Sequence, residues 1–265
     1  MIKRELYMNR IRPFIGGELI KVMTGIRRSG KSVMLELIKE ELAEAGVAPS
    51  QMISINFEDM RYSHLQTATA LHDEIIKRAE GIEGKAYLFF DEIQEVEGWE
   101  KCVNSLRVAL DCDIYITGSN AKLLSGELAT YIGGRYVEFV IYPFSFAEFL
   151  ELYHTIAPSD SIQQCFQKYL LAGGMPYLAN LRYEEEPSRQ YLTDLFNSVQ
   201  LKDIVKRNKI RDIDLLERII AYTSDTCQFR YFQRRNRTGC CVLFIESLKI
   251  QILTYSSQNR KLKTL

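Results

Sequence analysis

Apolar positions along the chain follow two rhythms that alternate through its first two-thirds. Short runs at residues 19–24 (LIKVMT), 52–57 (MISINF), 86–90 (AYLFF), 114–117 (IYIT) and 136–141 (YVEFVI) have the length and continuity of buried strands. Between them the spacing turns helical. Met34, Leu35, Leu37, Ile38 and Leu42 share one face ahead of Gly46, Leu71, Ile75 and Ile76 mark a second helix ending near Gly81, and Trp99, Val103, Leu106 and Leu110 mark a third. After Pro143 the strand signal stops. SFAEFLELY, QQCFQKYLLA, QYLTDLFNSV and DLLERIIAY all have helical periods, with GGMP at 173–176 as a break. The expected fold class is therefore α/β: a five-stranded parallel sheet flanked by helices, followed by a smaller helical region. The expected division is a sheet domain at 1–143, a helical region at 144–225 and an atypical basic tail at 226–265.

Composition narrows the class without changing that picture. With 265 residues, 46% hydrophobic and 26% charged, the chain has the balance of a globular protein with a real core. No apolar run approaches the length of a membrane helix, so no membrane partner is expected. The charged start, MIKREL, does not read as a secretory leader. Six cysteines lack CxxC or His/Cys metal spacing, which suits a reducing cytoplasm, with Cys102, Cys112 and Cys165 expected as packed thiols. His64, His72 and His154 form no recognisable set. Net charge is zero, yet residues 226–265 carry eight Lys/Arg against one acid, Glu246. Such a split can mark a nucleic-acid-facing tail.

The chemistry sits where the first strand meets the first helix. Gly25-Ile26-Arg27-Arg28-Ser29-Gly30-Lys31-Ser32 matches GxxxxGK[ST] without a mismatch. Glycines let the backbone curl so that successive N–H groups face phosphate oxygens, and the helix N-terminus adds partial positive charge. Lys31 is placed to reach the β- and γ-phosphates, and the Ser32 hydroxyl to ligate Mg²⁺. A chain of this length meets the bare pattern by chance about once in a hundred, so its strand–helix setting carries most of the weight. Arg27 and Arg28 stay open between facing the nucleotide and facing solvent or an acidic partner.

Asp91-Glu92 closes the AYLFF strand at the sheet edge where α/β folds bind ligands. Asp91 is the expected Mg²⁺ holder, commonly through a water, and Glu92 the expected general base for an attacking water. ITGSN ends the fourth strand, so Asn120 or Ser119 can touch the γ-phosphate or the lytic water; Gly-Ser-Asn is also ordinary turn chemistry. Arg135, in Gly133-Gly134-Arg135 before the fifth strand, can neutralise transition-state charge within the chain or across a subunit boundary, or pair with a surface carboxylate. Glu58-Asp59 reads as a solvated strand end or as an outer support for the magnesium.

Together GIRRSGKS, INFED, YLFFDEIQ, ITGSNAKLLSGEL, GGRYVEFVIYPFSFAEFL and YLLAGGMP resemble, in order, the prokaryotic AAA-type P-loop ATPases of the origin-recognition and signalling-ATPase branch. The likeness spans about residues 10–220. It implies strand order 5-1-4-3-2, ATP rather than GTP, and functional roles for Lys31, Ser32, Asp91, Glu92 and Asn120, with Arg135 at the family's Gly-Arg position. The absence of an NKxD guanine-reading motif agrees with ATP. The family usually continues into a winged-helix-like segment and a nuclease-like domain, and residues 201–225 resemble that lead-in. Near Thr226 the resemblance stops, and the expectation is an out-of-frame or truncated ending. The alternative is a basic nucleic-acid-binding tail using Arg234, Arg235 and Arg237.

The functional expectation is a cytoplasmic Mg-ATP hydrolase that couples nucleotide state to its helical region, with a second copy or another protein as partner. Two other classes remain open: an ATP-binding switch with little turnover, and a small-molecule P-loop kinase.

Overall fold

A computed structural model of the chain describes residues 2–118 and 132–199, and the isolated positions 215, 218, 219 and 222. Five strands form one sheet: β1 (Ile20–Thr24), β2 (Met52–Asn56), β3 (Ala86–Asp91), β4 (Cys112–Thr117) and β5 (Tyr136–Val140). Their order is β2-β3-β4-β1-β5 and every pairing is parallel, which is the 5-1-4-3-2 arrangement read from the other edge. Helices α1 (Glu5–Ile11), α2 (Lys31–Glu44), α3 (Ala68–Ala79) and α4 (Trp99–Ala109) accompany the sheet. Beyond it come α5 (Phe146–Tyr153), α6 (Ile162–Ala172) and α7 (Glu185–Val199).

Strand alternation explains why the central runs are apolar without interruption. Ile20, Val22, Leu88, Phe90, Ile114 and Ile116 pack on one face with Leu71 and Ile75 of α3 and Val103 and Leu106 of α4. The intervening Met23, Phe89 and Tyr115 pack on the other face with Tyr7, Met8 and Ile11 of α1 and Met34, Leu35, Ile38 and Leu42 of α2. A strand covered on both faces has no polar side to offer water. Leu88, Phe89 and Phe90 are each 0% exposed. Burial of such side chains contributes about 1.5–3 kcal/mol apiece. The edge strand β2 alternates buried and exposed positions, as one-sided cover requires.

Chain contacts divide the protein into two compact units, Met1–Ser188 and Arg189–Leu265, and the sheet lies wholly in the first. In that unit α5 and α6 each open with a Ser capping box, Ser145 with Glu148 and Ser161 with Gln164. In the second unit, Leu215, Arg218, Ile219 and Tyr222 are helical, while most of DLLERIIAY and all of the basic tail fall outside the described residues. Among the described residues no helix is long and apolar enough to cross a membrane. Cys102, Cys112 and Cys165 are buried free thiols. Burial pushes Cys102 up to about 12 and Cys112 up to about 11.

Candidate nucleotide-binding site

Parallel pairing brings four strand ends to one edge of the sheet. β1 ends at Thr24 and passes directly into the glycine loop, while β2, β3 and β4 end at Asn56, Asp91 and Thr117. Register places Asn56 beside Asp91 and Met23 beside Thr117. Polar residues separated by dozens of positions along the chain therefore become neighbours.

The loop depends on glycine at its entry. Gly25 has φ 142°, and a Cβ there would lie 2.1 Å from the Ile141 carbonyl oxygen, so conformation and space both exclude a side chain. Gly30 closes the loop at φ 99°, and α2 starts at the next residue. Arg28 also takes a left-handed conformation, φ 62°, which costs a non-glycine residue about 1–3 kcal/mol. The first-turn N–H groups of α2 have no intrahelical acceptors, so the loop ends on a partial positive charge.

Lys31 is 5% exposed and turns its ammonium back onto the loop, donating to the carbonyls of Gly25 at 3.3 Å and Ile26 at 3.2 Å. The same Nζ lies 3.9 Å from Glu92 Oε1. Ser29 is fully buried and its hydroxyl finds no hydrogen-bond partner among the described residues. An orphaned polar atom of that kind costs about 1–3 kcal/mol, and it sits inside a loop whose shape suits oxygen-rich anions. Ser32 is exposed at the start of α2.

The carboxylates are held by a hydroxyl. Thr117 Oγ1 donates to Asp91 Oδ1 and accepts the Glu92 backbone N–H at 3.0 Å, joining both acids to the end of β4. Asn56 Nδ2 donates to Asp91 Oδ2 at 3.1 Å, so Asp91 is fixed from both neighbouring strands. Glu92 follows in a left-handed conformation, φ 55°, that turns the chain out of the strand. Its Oε2 accepts from Gln94 Nε2 while Oε1 faces Lys31. Thr117, Asn56 and Gln94 lie inside the motifs ITGSN, INFED and YLFFDEIQ but carry no expected role of their own there; each is a polar residue at, or just beyond, a strand end.

The remaining expected residues divide by place. Arg27 donates to Glu58 Oε1 at 3.1 Å, joining the loop to the end of β2, and Arg28 is exposed. Asp59 caps the following turn and pairs with Arg61. Arg135 precedes β5, so it lies at the edge where strands begin, about 16 Å of strand from the glycine loop of its own chain. There it donates to Asn104 Oδ1 at 2.9 Å. The structure thus brings Lys31, Asp91 and Glu92 together and leaves Arg135 apart. Ser119 and Asn120 lie outside the described residues.

The donor set fits a nucleotide with magnesium. Among the described residues no three His, Cys, Asp or Glu side chains converge as a metal cage. A divalent ion here would rest on a hydroxyl, one carboxylate and phosphate oxygens, which is how Mg²⁺ is usually held.

A family described as AAA domain matches residues 18–150, covering the glycine loop, Asp91-Glu92 and all five strands. An uncharacterized protein of Haemophilus influenzae is 40% identical over 226 residues, which are 85% of this chain and 56% of the relative. An uncharacterized protein of Methanocaldococcus jannaschii is 34% identical over 203 residues, 73% of this chain and 44% of the relative. The chain therefore spans about half the length of these relatives. Two solved structures are similar at low identity. The Aeropyrum pernix ORC1 protein in complex with DNA has a TM-score of 0.42 at 14% identity, covering 83% of this chain and 71% of that one. AMPPCP-bound DnaA from Aquifex aeolicus has a TM-score of 0.47 at 15% identity, covering 84% and 68%.

Proposed function

The chain belongs to the AAA domain family, and from that premise we propose that it binds Mg-ATP at the strand ends and hydrolyses it. One observation carries the reading: the loop lysine and the strand-end acids meet, with Lys31 Nζ 3.9 Å from Glu92 Oε1 and Asp91 tied to Glu92 through Thr117. A strand that ended in acids merely for solubility would not need them locked from two neighbouring strands.

In this reading the loop N–H groups and the α2 N-terminus bind the phosphates, and Lys31 exchanges the Gly25 and Ile26 carbonyls for phosphate oxygens. The Ser29 hydroxyl, without a partner among the described residues, donates to a phosphate oxygen. Ser32 and Asp91 would hold Mg²⁺, which supplies charge neutralisation at the phosphates. Glu92 takes a proton from water, with Gln94 orienting its carboxylate. Since Arg135 lies at the far edge of its own sheet, its contribution to the reaction belongs across a boundary with a second copy. Asn120 retains the role of γ-phosphate sensor. The cytoplasm is the proposed compartment, and coupling to the helices after Pro143 is the proposed output. The winged-helix-like and nuclease-like continuation of the family, and any contact with nucleic acid, belong to this proposal only as expectations.

The test is binding of a fluorescent ATP analogue with Mg²⁺, followed by phosphate release without any added acceptor. Lys31→Ala should weaken binding at least about a hundredfold, because charge-assisted contacts to a triphosphate are lost together. Tight binding retained by Lys31→Ala would remove the site from this loop. ADP formation that needs an added acceptor, with no release of inorganic phosphate, would make the protein a kinase.

A further inference from the structure

Arg4 comes from the charged start of the chain, yet its side chain is 1% exposed. All three faces of its guanidinium are used. Nε donates to Glu148 Oε1 at 2.8 Å, Nη1 to the Ser29 carbonyl at 3.0 Å and Nη2 to the Tyr142 carbonyl at 2.7 Å. The plane lies against the rings of Tyr7 at 4.6 Å and Phe144 at 5.2 Å. Arg4 itself adopts a left-handed backbone, φ 48° and ψ 48°, which its buried side chain must help hold.

Two of these acceptors belong to working parts. Ser29 is the loop residue before Gly30-Lys31, so its carbonyl moves with any rearrangement of the glycine loop. Glu148 lies in α5, and its second oxygen accepts from the Ser145 N–H at 2.8 Å and the Ser145 hydroxyl at 3.0 Å, capping that helix. An unbroken line of charge-assisted bonds therefore runs from the glycine loop through Arg4 to the N-terminus of α5. A planar five-donor fork can span three acceptors rigidly, whereas a lysine ammonium cannot.

We propose that Arg4 is a positioning residue that couples the conformation of the glycine loop to the placement of α5, which deepens and rests on the nucleotide-binding reading above. Filling the loop shifts the Ser29 carbonyl, Arg4 follows it, and Glu148 transmits the shift to the capped end of α5. Coupling between two sites is reciprocal, so a change in α5 must also be felt in the loop.

Reciprocity supplies a test that needs no nucleotide. Amide hydrogen exchange is measured on the nucleotide-free full chain for wild type, Arg4→Lys and Glu148→Gln. Gln preserves the Ser-x-x-Gln cap of α5 while removing the charge that Arg4 reads. In both variants the amides of residues 26–30 should exchange about fivefold faster or more, with α3 unchanged. Loop exchange at the wild-type rate in Glu148→Gln would overturn the coupling. An equal rise in the loop and in α3 would overturn it too, because Arg4 would then support only global stability. Glu148→Gln decides alone if Arg4→Lys does not fold. As a second readout, affinity for the fluorescent ATP analogue should fall about fivefold in both variants. Wild type that binds no nucleotide would refute the proposed function, and the loop exchange would still decide the coupling.

Discussion

The two ends of the sheet bury the same pair of chemistries, an ammonium and a carboxylate, in opposite ways. At the strand starts Lys21 and Asp113 are each 0% exposed and hydrogen-bond directly. Lys21 also donates to the Gly17 carbonyl at 3.1 Å, and Asp113 accepts from the Gly16 N–H at 2.7 Å and the Tyr115 hydroxyl at 2.8 Å. Burial pushes the Lys21 ammonium below its usual range against the pull of Asp113, and pushes the Tyr115 hydroxyl well above its own. At the strand ends the Lys31–Glu92 pair is looser at 3.9 Å, Glu92 is 19% exposed, and the Ser29 hydroxyl is unsatisfied among the described residues. A network whose donors and acceptors match pins a loop; the looser one, with left-handed residues around it, is the proposed nucleotide site. The difference separates a stabilising cluster from the proposed site, although both contain a buried lysine.

Substitution should split the two ends cleanly. The largest effect is expected from Glu92→Gln, which leaves the Lys21–Asp113 cluster untouched. Phosphate release should fall about 10²–10⁴-fold, the usual contribution of a general base, while affinity for the ATP analogue changes less than about threefold. An unchanged rate would take the base role away from Glu92. At the other end Asp113→Ala leaves Lys21 buried without its partner. Urea unfolding should show a loss of about 3–5 kcal/mol, with nucleotide affinity of the folded protein preserved. Lys21→Met with Asp113→Leu should recover most of that loss, since replacing a whole buried pair is far cheaper than breaking it. If Asp113→Ala instead abolished nucleotide binding at unchanged stability, the comparison would be inverted.

Thr117→Val probes the join inside the site. It keeps the β-branched shape of the strand but removes the hydroxyl shared by Asp91 and the Glu92 N–H. The expected stability cost is about 1–3 kcal/mol for the groups left unpaired. Turnover should drop by about tenfold through misplacement of Asp91 and Glu92 rather than loss of either group. Loss of stability with full turnover would mean that the hydroxyl only closes the sheet edge.

Legibility followed the range of the interactions. The central strands were visible as apolar runs because strands covered on both faces are largely apolar, the edge strand β2 was visible through its alternation, and the glycine loop was visible because its backbone demands specific residues in unbroken succession. Strand order came from family resemblance, not periodicity. Asn56, Thr117 and Arg4 were not legible as site residues. Their roles arise from parallel register and from contacts such as Arg4 to Glu148, 144 positions apart, which no local window contains. MIKREL reads only as a charged start unlike a secretory leader, and α1, only seven residues long, gives too short a pattern to announce a helix. Arg135 shows the converse. Its Gly-Arg setting was evident, yet only topology reveals that the start of β5 lies at the edge opposite its own glycine loop.

The smallest effect concerns Arg27, the loop residue whose orientation decides which chemistry it serves. Its pair with Glu58 is exposed on both sides, with side chains 39% and 58% accessible. Exposed pairs of this kind contribute about 0.2–1 kcal/mol and weaken with salt. If Arg27 serves only to tether the loop to the end of β2, Arg27→Ala and Glu58→Ala should each cost less than about 1 kcal/mol, and a double-mutant cycle should show that the two losses are shared. Affinity for the ATP analogue should then respond equally and weakly to either substitution. A triphosphate that draws the guanidinium away from Glu58 would break the symmetry. Arg27→Ala would weaken binding, while Glu58→Ala, by freeing Arg27, would leave binding unchanged or tighten it. The two substitutions therefore report on opposite sides of one contact, and the sign of the Glu58→Ala effect assigns Arg27 either to the scaffold or to the ligand.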